Sequence, residues 1–177
     1  MVATMVLDNT NDIEIDEIDE IDETEEFADM GSFNHGYLMV RLGVLFDRLG
    51  SYTAVGELSL DVTGVDLSKF DLKTREEIKP DICLYPKRGL SQPKDILRMR
   101  EMPLLAVEIL SPKQGLYDIV EKFRLYFELG VRSCWLVEPV LRTVTVYASS
   151  DDWQTFTSGD IVDSVVNIKI PLEEIFA

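Results

Sequence analysis

Soft metal ligands are scarce in this chain: it has one histidine, His35, and two cysteines, Cys83 and Cys134, among 177 residues. One His and two separated Cys leave no zinc-binding set. Two cysteines inside apolar runs make no disulfide framework, so buried reduced thiols are expected. No apolar span of about 18 residues appears, and no basic leader precedes an apolar segment. Neither a transmembrane helix nor a signal peptide is therefore expected, and the expected location is the cytoplasm. Also missing is any Lys or Arg from residues 1–30, which hold 12 of the 33 acids.

That asymmetry makes the formal charge of −16 a poor description of the body, because residues 31–177 carry 21 acids against 17 bases, about −4. The segment "DIEIDEIDEIDETEE" repeats an isoleucine followed by acids, whose charges repel in any compact state. A disordered or loosely docked tail over residues 1–30 is expected, serving either as a solubilising extension or as a phosphate mimic that occupies a basic groove. The remainder, 46% hydrophobic as part of the whole chain, is long enough for one domain with a sizeable core and too short for two. The expected domain covers residues 31–177.

Periodicity supplies the elements. "FNHGYLMVRLGVLFDRLG" sets Tyr37, Leu38, Val40, Leu42, Val44, Leu45 and Leu49 at mostly helical spacing, with Asn34 as a cap and Gly50 as a stop. "SYTAVGELSLDVTG" brings Leu58, Leu60 and Val62 to one face of a strand, and "KPDICLYP" adds a second strand with Pro80 at its edge. "PLLAVEILSP" is a third, followed by a helix over about residues 116–129 that Gly130 ends. "SCWLVEP", "TVTVYAS" and "VVNIKIPLEEIFA" give further strands and a short terminal turn or helix. A strand leading through a helix to another strand is a crossover, so the sheet should be parallel around Glu108 and Trp135. The fold class is α/β, a mixed β-sheet flanked by helices.

Glu108 is out of place in an apolar strand, and Asp81 opens another. A buried carboxylate costs several kcal/mol unless it is paired, hydrogen-bonded or bound to a metal. Magnesium suits two such acids because it is hard, takes oxygen ligands and keeps waters that become nucleophiles. A hydrolytic site of this kind also wants a cation that does not bind the metal. The position two residues after the acid, on the same strand face, is Leu110. The replacements are Lys113, just past the strand, and Lys122, in the following helix. Spacing alone pairs Lys122 with Asp118 on the helix surface.

"PD" opening a strand, then "VEILSP", then Asp118 and Lys122 with Tyr126, then "GVRSCWLVEP", resembles the Uma-type family of putative restriction endonucleases within the PD-(D/E)XK nuclease superfamily. The likeness covers most of residues 31–177. In that family the lysine of the nuclease motif is thought to have moved from the strand to the following helix. The resemblance implies a restriction-endonuclease-like core, Asp81 and Glu108 as metal ligands with the main-chain carbonyl of Ile109 as a further one, and Lys122 as the migrated catalytic lysine. It implies Mg²⁺ as cofactor, with Mn²⁺ as the alternative. The family usually has an aspartate where this chain has Glu138, a conservative departure outside the implied site.

Two functional classes follow: a metal-dependent DNA endonuclease that hydrolyses phosphodiester bonds, acting as a homodimer because two symmetric sites suit a duplex, and a catalytically inactive nuclease-like interaction or regulatory protein. For DNA as partner, "PKRGLSQPKDILRMR" carries Lys87, Arg88, Lys94, Arg98 and Arg100 against Asp95 alone, and Lys113 lies beyond it; this run is either a phosphate-attracting patch or a solvated loop. His35 reads as a helix-start hydrogen bond or packing residue, with an acid-base role as the alternative. Glu57 reads as an exposed strand glutamate unless its face lines the cleft. Trp135 reads as core.

Overall fold

The computed structural model describes residues 32–74, 76–90, 93–112 and 114–177. The acidic segment 1–30 and Lys113 lie outside the described residues. Helix α1 (Phe33–Arg48) opens the fold. Its cap is Ser32, whose Oγ accepts the backbone N–H of His35, and not Asn34, which lies inside the helix. Gly50 follows the helix with a φ of 74°, the left-handed conformation that glycine adopts without a Cβ penalty. Leu38, Leu42, Leu45 and Phe46 bury one face of α1, while Tyr37, Val40 and Val44 stay exposed. The helical spacing placed both sets together; only the first meets the sheet.

Six strands form the central sheet in the order β1 (Tyr52–Gly56), β4 (Ile82–Pro86), β5 (Leu105–Ile109), β6 (Ser133–Glu138), β7 (Thr143–Ser149) and β8 (Asp152–Phe156). Between β1 and β4 the chain makes β2 (Leu60–Asp61) and β3 (Glu77–Ile78), a separate two-stranded ladder. The expected strand through Leu58, Leu60 and Val62 is therefore divided. Glu57 adopts a φ of 49°, which no extended strand accommodates, so β1 stops at Gly56 and pairing resumes elsewhere. The one parallel pair in the central sheet is β5 with β6, which sets Glu108 opposite Leu136 and Val107 opposite Trp135. The crossover between them is α2 (Leu116–Glu128), and Gly130 ends it with a φ of 96°.

Period two divides the core between the two faces of the sheet. Ile82, Leu84, Leu105, Val107, Ile109, Trp135 and Val137 join the buried residues of α1. Cys83, Tyr85, Ala106, Cys134 and Leu136 join Ile119, Phe123 and Tyr126 of α2. Strand β5 is thus covered on both sides, which explains its nearly continuous apolar sequence. Both cysteines are free and buried; burial pushes the Cys83 thiol up to about 12 and the Cys134 thiol well above its ordinary value, so both are inert core groups.

A second ladder, β9 (Asp160–Asp163) with β10 (Ile168–Pro171), packs with the α1 side and leads into α3 (Leu172–Ile175). Its polar anchor is Asp163, buried beneath the sheet. Asp163 accepts hydrogen bonds from Ser133 Oγ at 2.6 Å, Trp135 Nε1 at 2.8 Å, and the backbone N–H groups of Val165 and Val166 at 3.0 and 3.3 Å. Among the described residues the donors to Asp163 are these four neutral groups. Asp163→Ala strands these donors and should lower unfolding free energy by about 3 kcal/mol or more in chemical denaturation. Asp160→Ala, which removes an exposed ion pair with Lys169, should leave the unfolding midpoint nearly unchanged in the same measurement.

Candidate active site

Strand pairing brings the two sequence-singled acids together. β4 and β5 run antiparallel, with Cys83 opposite Ala106 and Ile82 opposite Val107. The same register continued by one residue sets Asp81 across from Glu108. Glu108 occupies the face of β5 that α2 covers, and its side chain is 1% exposed. Two α2 residues reach it. Lys122 Nζ lies 2.9 Å from Oε2, and Tyr126 Oη donates to Oε1 at 2.6 Å. Residues 122 and 126 are one turn apart, so the helix presents both to the same point of the sheet.

Lys122 therefore makes its ion pair across the helix–sheet interface, not along the helix surface with Asp118. It keeps 24% exposure, so its ammonium stands between the buried carboxylate and solvent. Burial pushes the Glu108 carboxyl above its ordinary value and Asp81 adds to that shift, while the charge of Lys122 and the hydrogen bonds from Lys122 and Tyr126 oppose it. Burial, followed by the Glu108 charge, raises the Tyr126 phenol well above its ordinary value, so it is a fixed hydrogen-bond donor. A carboxyl perturbed by burial beside a specific charge partner marks a candidate functional site, although structural ion pairs shift carboxyls in the same way.

Asp81 immediately precedes β4 and is held by two elements. Its Oδ2 accepts the backbone N–H of Ile109 at 2.6 Å, and its Oδ1 lies 3.1 Å from His35 Nε2. The first contact ties Asp81 to the residue next to Glu108. The second ties it to the first turn of α1. His35 thus combines the expected helix-start hydrogen bond, through its backbone, with a side-chain contact that helical spacing alone did not reveal. Glu57 is exposed just beyond β1, and its backbone N–H donates to the carbonyl of Asp81 at 3.0 Å. Its carboxylate is near enough to act on His35.

Among the described residues, no group of three or more His, Cys, Asp and Glu side chains forms a metal-binding cluster. The side-chain donors of the two implied ligands are the carboxylate oxygens of Asp81 and Glu108. Two carboxylates fit magnesium, which takes one or two and fills its other positions with water and substrate phosphate oxygens.

The basic run sits on an exposed loop and is largely matched by acids. Lys87 pairs with Asp47, Arg88 with Glu101, Arg98 with Glu76 and Glu77, and Arg100 with Asp61. The Arg88 contact is a two-pronged one, at 2.9 and 2.7 Å. Lys94 is also engaged. Of these partners only Glu101 adjoins the run; Asp47, Asp61, Glu76 and Glu77 come from earlier segments, so the run reads as unmatched in the sequence.

The His35 imidazole is held above its ordinary value of 6.5, chiefly by the hydrogen bond to Asp81, against the effect of burial and with help from the charges of Asp81, Glu108 and Glu57. Its folded value exceeds the unfolded one, so this contact stabilises the fold fully below pH 6.5 and the contribution disappears as pH rises through the raised value. As the single histidine, it gives an unambiguous imidazole signal. An NMR titration in chelator should find its midpoint above 6.5, and Asp81→Asn should bring it down; a midpoint at or below 6.5 in the unsubstituted protein would contradict this geometry.

Three comparisons bear on this arrangement. The sequence model of the Uma2 family, described as "putative restriction endonuclease", matches residues 18–166. No curated protein matches the chain. Among solved structures, the fold is similar to the crystal structure of "a putative nuclease belonging to DUF820 from Anabaena variabilis ATCC 29413", with a TM-score of 0.65 and 17% identity, covering 83% of this chain and 82% of that one. At this identity the likeness establishes the fold, a mixed sheet flanked by helices. No helix among the described residues is long and apolar enough to cross a membrane. Family and fold together support a nuclease. With most of its length matched by the family model, the chain belongs to the Uma2 family of putative restriction endonucleases.

Proposed function

We propose that this protein is a divalent-metal-dependent endonuclease that hydrolyses DNA phosphodiester bonds at Asp81, Glu108 and Lys122. The observation that carries the reading is the meeting of Lys122 with Glu108 at 2.9 Å, beside an Asp81 whose carboxylate is tied to the backbone of Ile109. Asp81 and Glu108 would hold Mg²⁺, with Mn²⁺ as the alternative. When bound, such an ion supplies Lewis acidity at a phosphate oxygen and acidifies water.

The remaining chemistry falls to the side chains. Lys122 lies between Glu108 and solvent, where its ammonium would orient the attacking water and offset charge on the phosphate as the transition state forms. Tyr126 keeps Glu108 in one rotamer by donating to the oxygen that Lys122 does not use. The rigid strand β5 gives Glu108 the positional tolerance that metal binding requires. Lys87, Arg88, Lys94, Arg98, Arg100 and Lys113 would contact phosphates, the paired cations among them by exchanging acidic partners. Binding should therefore be weak and should fall steeply with salt. Cutting both strands of a duplex favours a homodimer with two symmetric sites, and the proposed location is the cytoplasm.

A second reading, an inactive nuclease-like interaction or regulatory protein, draws on the same pairings. Both oxygens of Glu108 already have donors, and the loop cations face acids. The test is cleavage of supercoiled DNA by the full chain at low salt with Mg²⁺ or Mn²⁺. Nicked and then linear products should appear and should be abolished by chelator. Asp81→Asn, Glu108→Gln and Lys122→Met should each reduce turnover at least about 100-fold. Metal-dependent cutting that survives all three substitutions would remove the chemistry from this site. Absence of both cutting and calorimetric metal binding would leave the interaction reading in its place.

A further inference from the structure

Asp81 lies one residue outside β4, so the strand ladder does not itself determine where its carboxylate points. Rotation about its side-chain bonds is limited instead by one donor on each oxygen. Ile109 N–H holds Oδ2 from β5 at 2.6 Å, and His35 Nε2 lies 3.1 Å from Oδ1. The His35 end of this contact is itself fixed. Ser32 accepts the backbone N–H of His35 at the start of α1, and Leu38 and Leu42 seat the next turns of the helix in the core. The imidazole and the carboxylate are 16% and 18% exposed, so water competes little for either.

We propose that His35 is a positioning residue for the nuclease site, a role that rests on the reading of Asp81 as a metal ligand. Its Nε2–H fixes the plane of the Asp81 carboxylate relative to Glu108, while each oxygen of Asp81 keeps a second lone pair for a divalent cation. A carboxylate acceptor requires the proton on Nε2, which is present in both the imidazolium and the matching neutral tautomer, so the role needs a donor and not a charge. Groups that orient a metal-binding side chain in this way commonly affect affinity almost as much as the ligands do. The same contact could serve only to fasten α1 to the sheet, and the two roles separate experimentally.

Mn²⁺ binding by the full chain, followed by calorimetry, is the direct readout, with thermal unfolding measured on the same samples. His35→Leu removes the donor and should weaken Mn²⁺ binding about 10- to 100-fold. His35→Gln carries an amide N–H at nearly the reach of Nε2 and should restore affinity to within about threefold of the unsubstituted chain. Should the leucine variant fail to fold, His35→Asn replaces it, because its shorter amide stops short of Asp81 Oδ1 and should show the same loss. Unchanged or tighter Mn²⁺ binding in a folded variant that lacks the donor overturns the role, as does a glutamine variant no better than the leucine one. In either case Mn²⁺ binding and cutting by the unsubstituted chain leave the proposed function intact. No Mn²⁺ binding by the unsubstituted chain overturns the metal-dependent reading and this role with it.

Discussion

A carboxylate buried in the middle of the sheet sets the terms for the rest of this protein. Glu108 is enclosed by β4, β6 and α2, where an ionised group without partners costs several kcal/mol. The cost is offset in part by Lys122 and Tyr126, both supplied by the crossover helix that the parallel β5–β6 pair requires. Ile119 and Phe123 pack on the same side of α2 and fix its depth on the sheet. The two polar residues then fix its rotation, because a turn about the helix axis would leave Glu108 unsatisfied. An apolar triad of similar volume would often be as stable or more so. Retaining charge here is intelligible as a compromise between stability and a function that needs a rigid acid.

The second acid is governed from the other side of the sheet. Asp81 takes its place from the β4–β5 register and its orientation from Ile109 and His35. Each carboxylate is therefore bound to a different helix, Glu108 to α2 and Asp81 to α1, and the sheet sets the separation between them. This division makes the site a property of the three-layered fold. A shift of either helix displaces one acid relative to the other, and the apolar packing of Leu38, Leu42, Phe123 and Ile119 resists such a shift.

Local pattern made much of this legible. The limits of α2, the parallel crossover, the burial of β5 and the special status of Asp81 and Glu108 all follow from periodicity and from the cost of burying charge. What sequence spacing could not supply is the direction of long-range contacts. Asp118 and Lys122 look like a surface pair because they are four residues apart, whereas the orientation of α2 turns Lys122 inward. Tyr126 entered only as part of the family resemblance, although the interval from Lys122 was a usable signal once Glu108 needed donors. His35 and Asp81 come from separate elements and no local pattern links them. Strand β8 was missed because four of its five residues are exposed, which leaves little apolar alternation. Asp163 escaped notice for the opposite reason: its donors come from β6, and nothing in its own segment marks it as buried.

The electrostatics of the surface explain why this nuclease-like fold does not advertise its substrate. Its longest basic run is matched by Asp47, Asp61, Glu76 and Glu77 from earlier in the chain and by Glu101 at its own end. A phosphate approaching that loop must displace a carboxylate from each paired cation it engages, and exposed pairs of this kind are individually weak. Such pairs reduce the positive potential that the basic run would otherwise present. Lys122 differs in kind. Its partner is buried, so removing the ammonium leaves an uncompensated charge unless another cation takes its place. Under the proposed function a phosphate at the site would compete with Glu108 for the Lys122 ammonium. The pair at Glu108 thus differs from the surface pairs in that its loss leaves a buried acid with Tyr126 as its remaining side-chain donor.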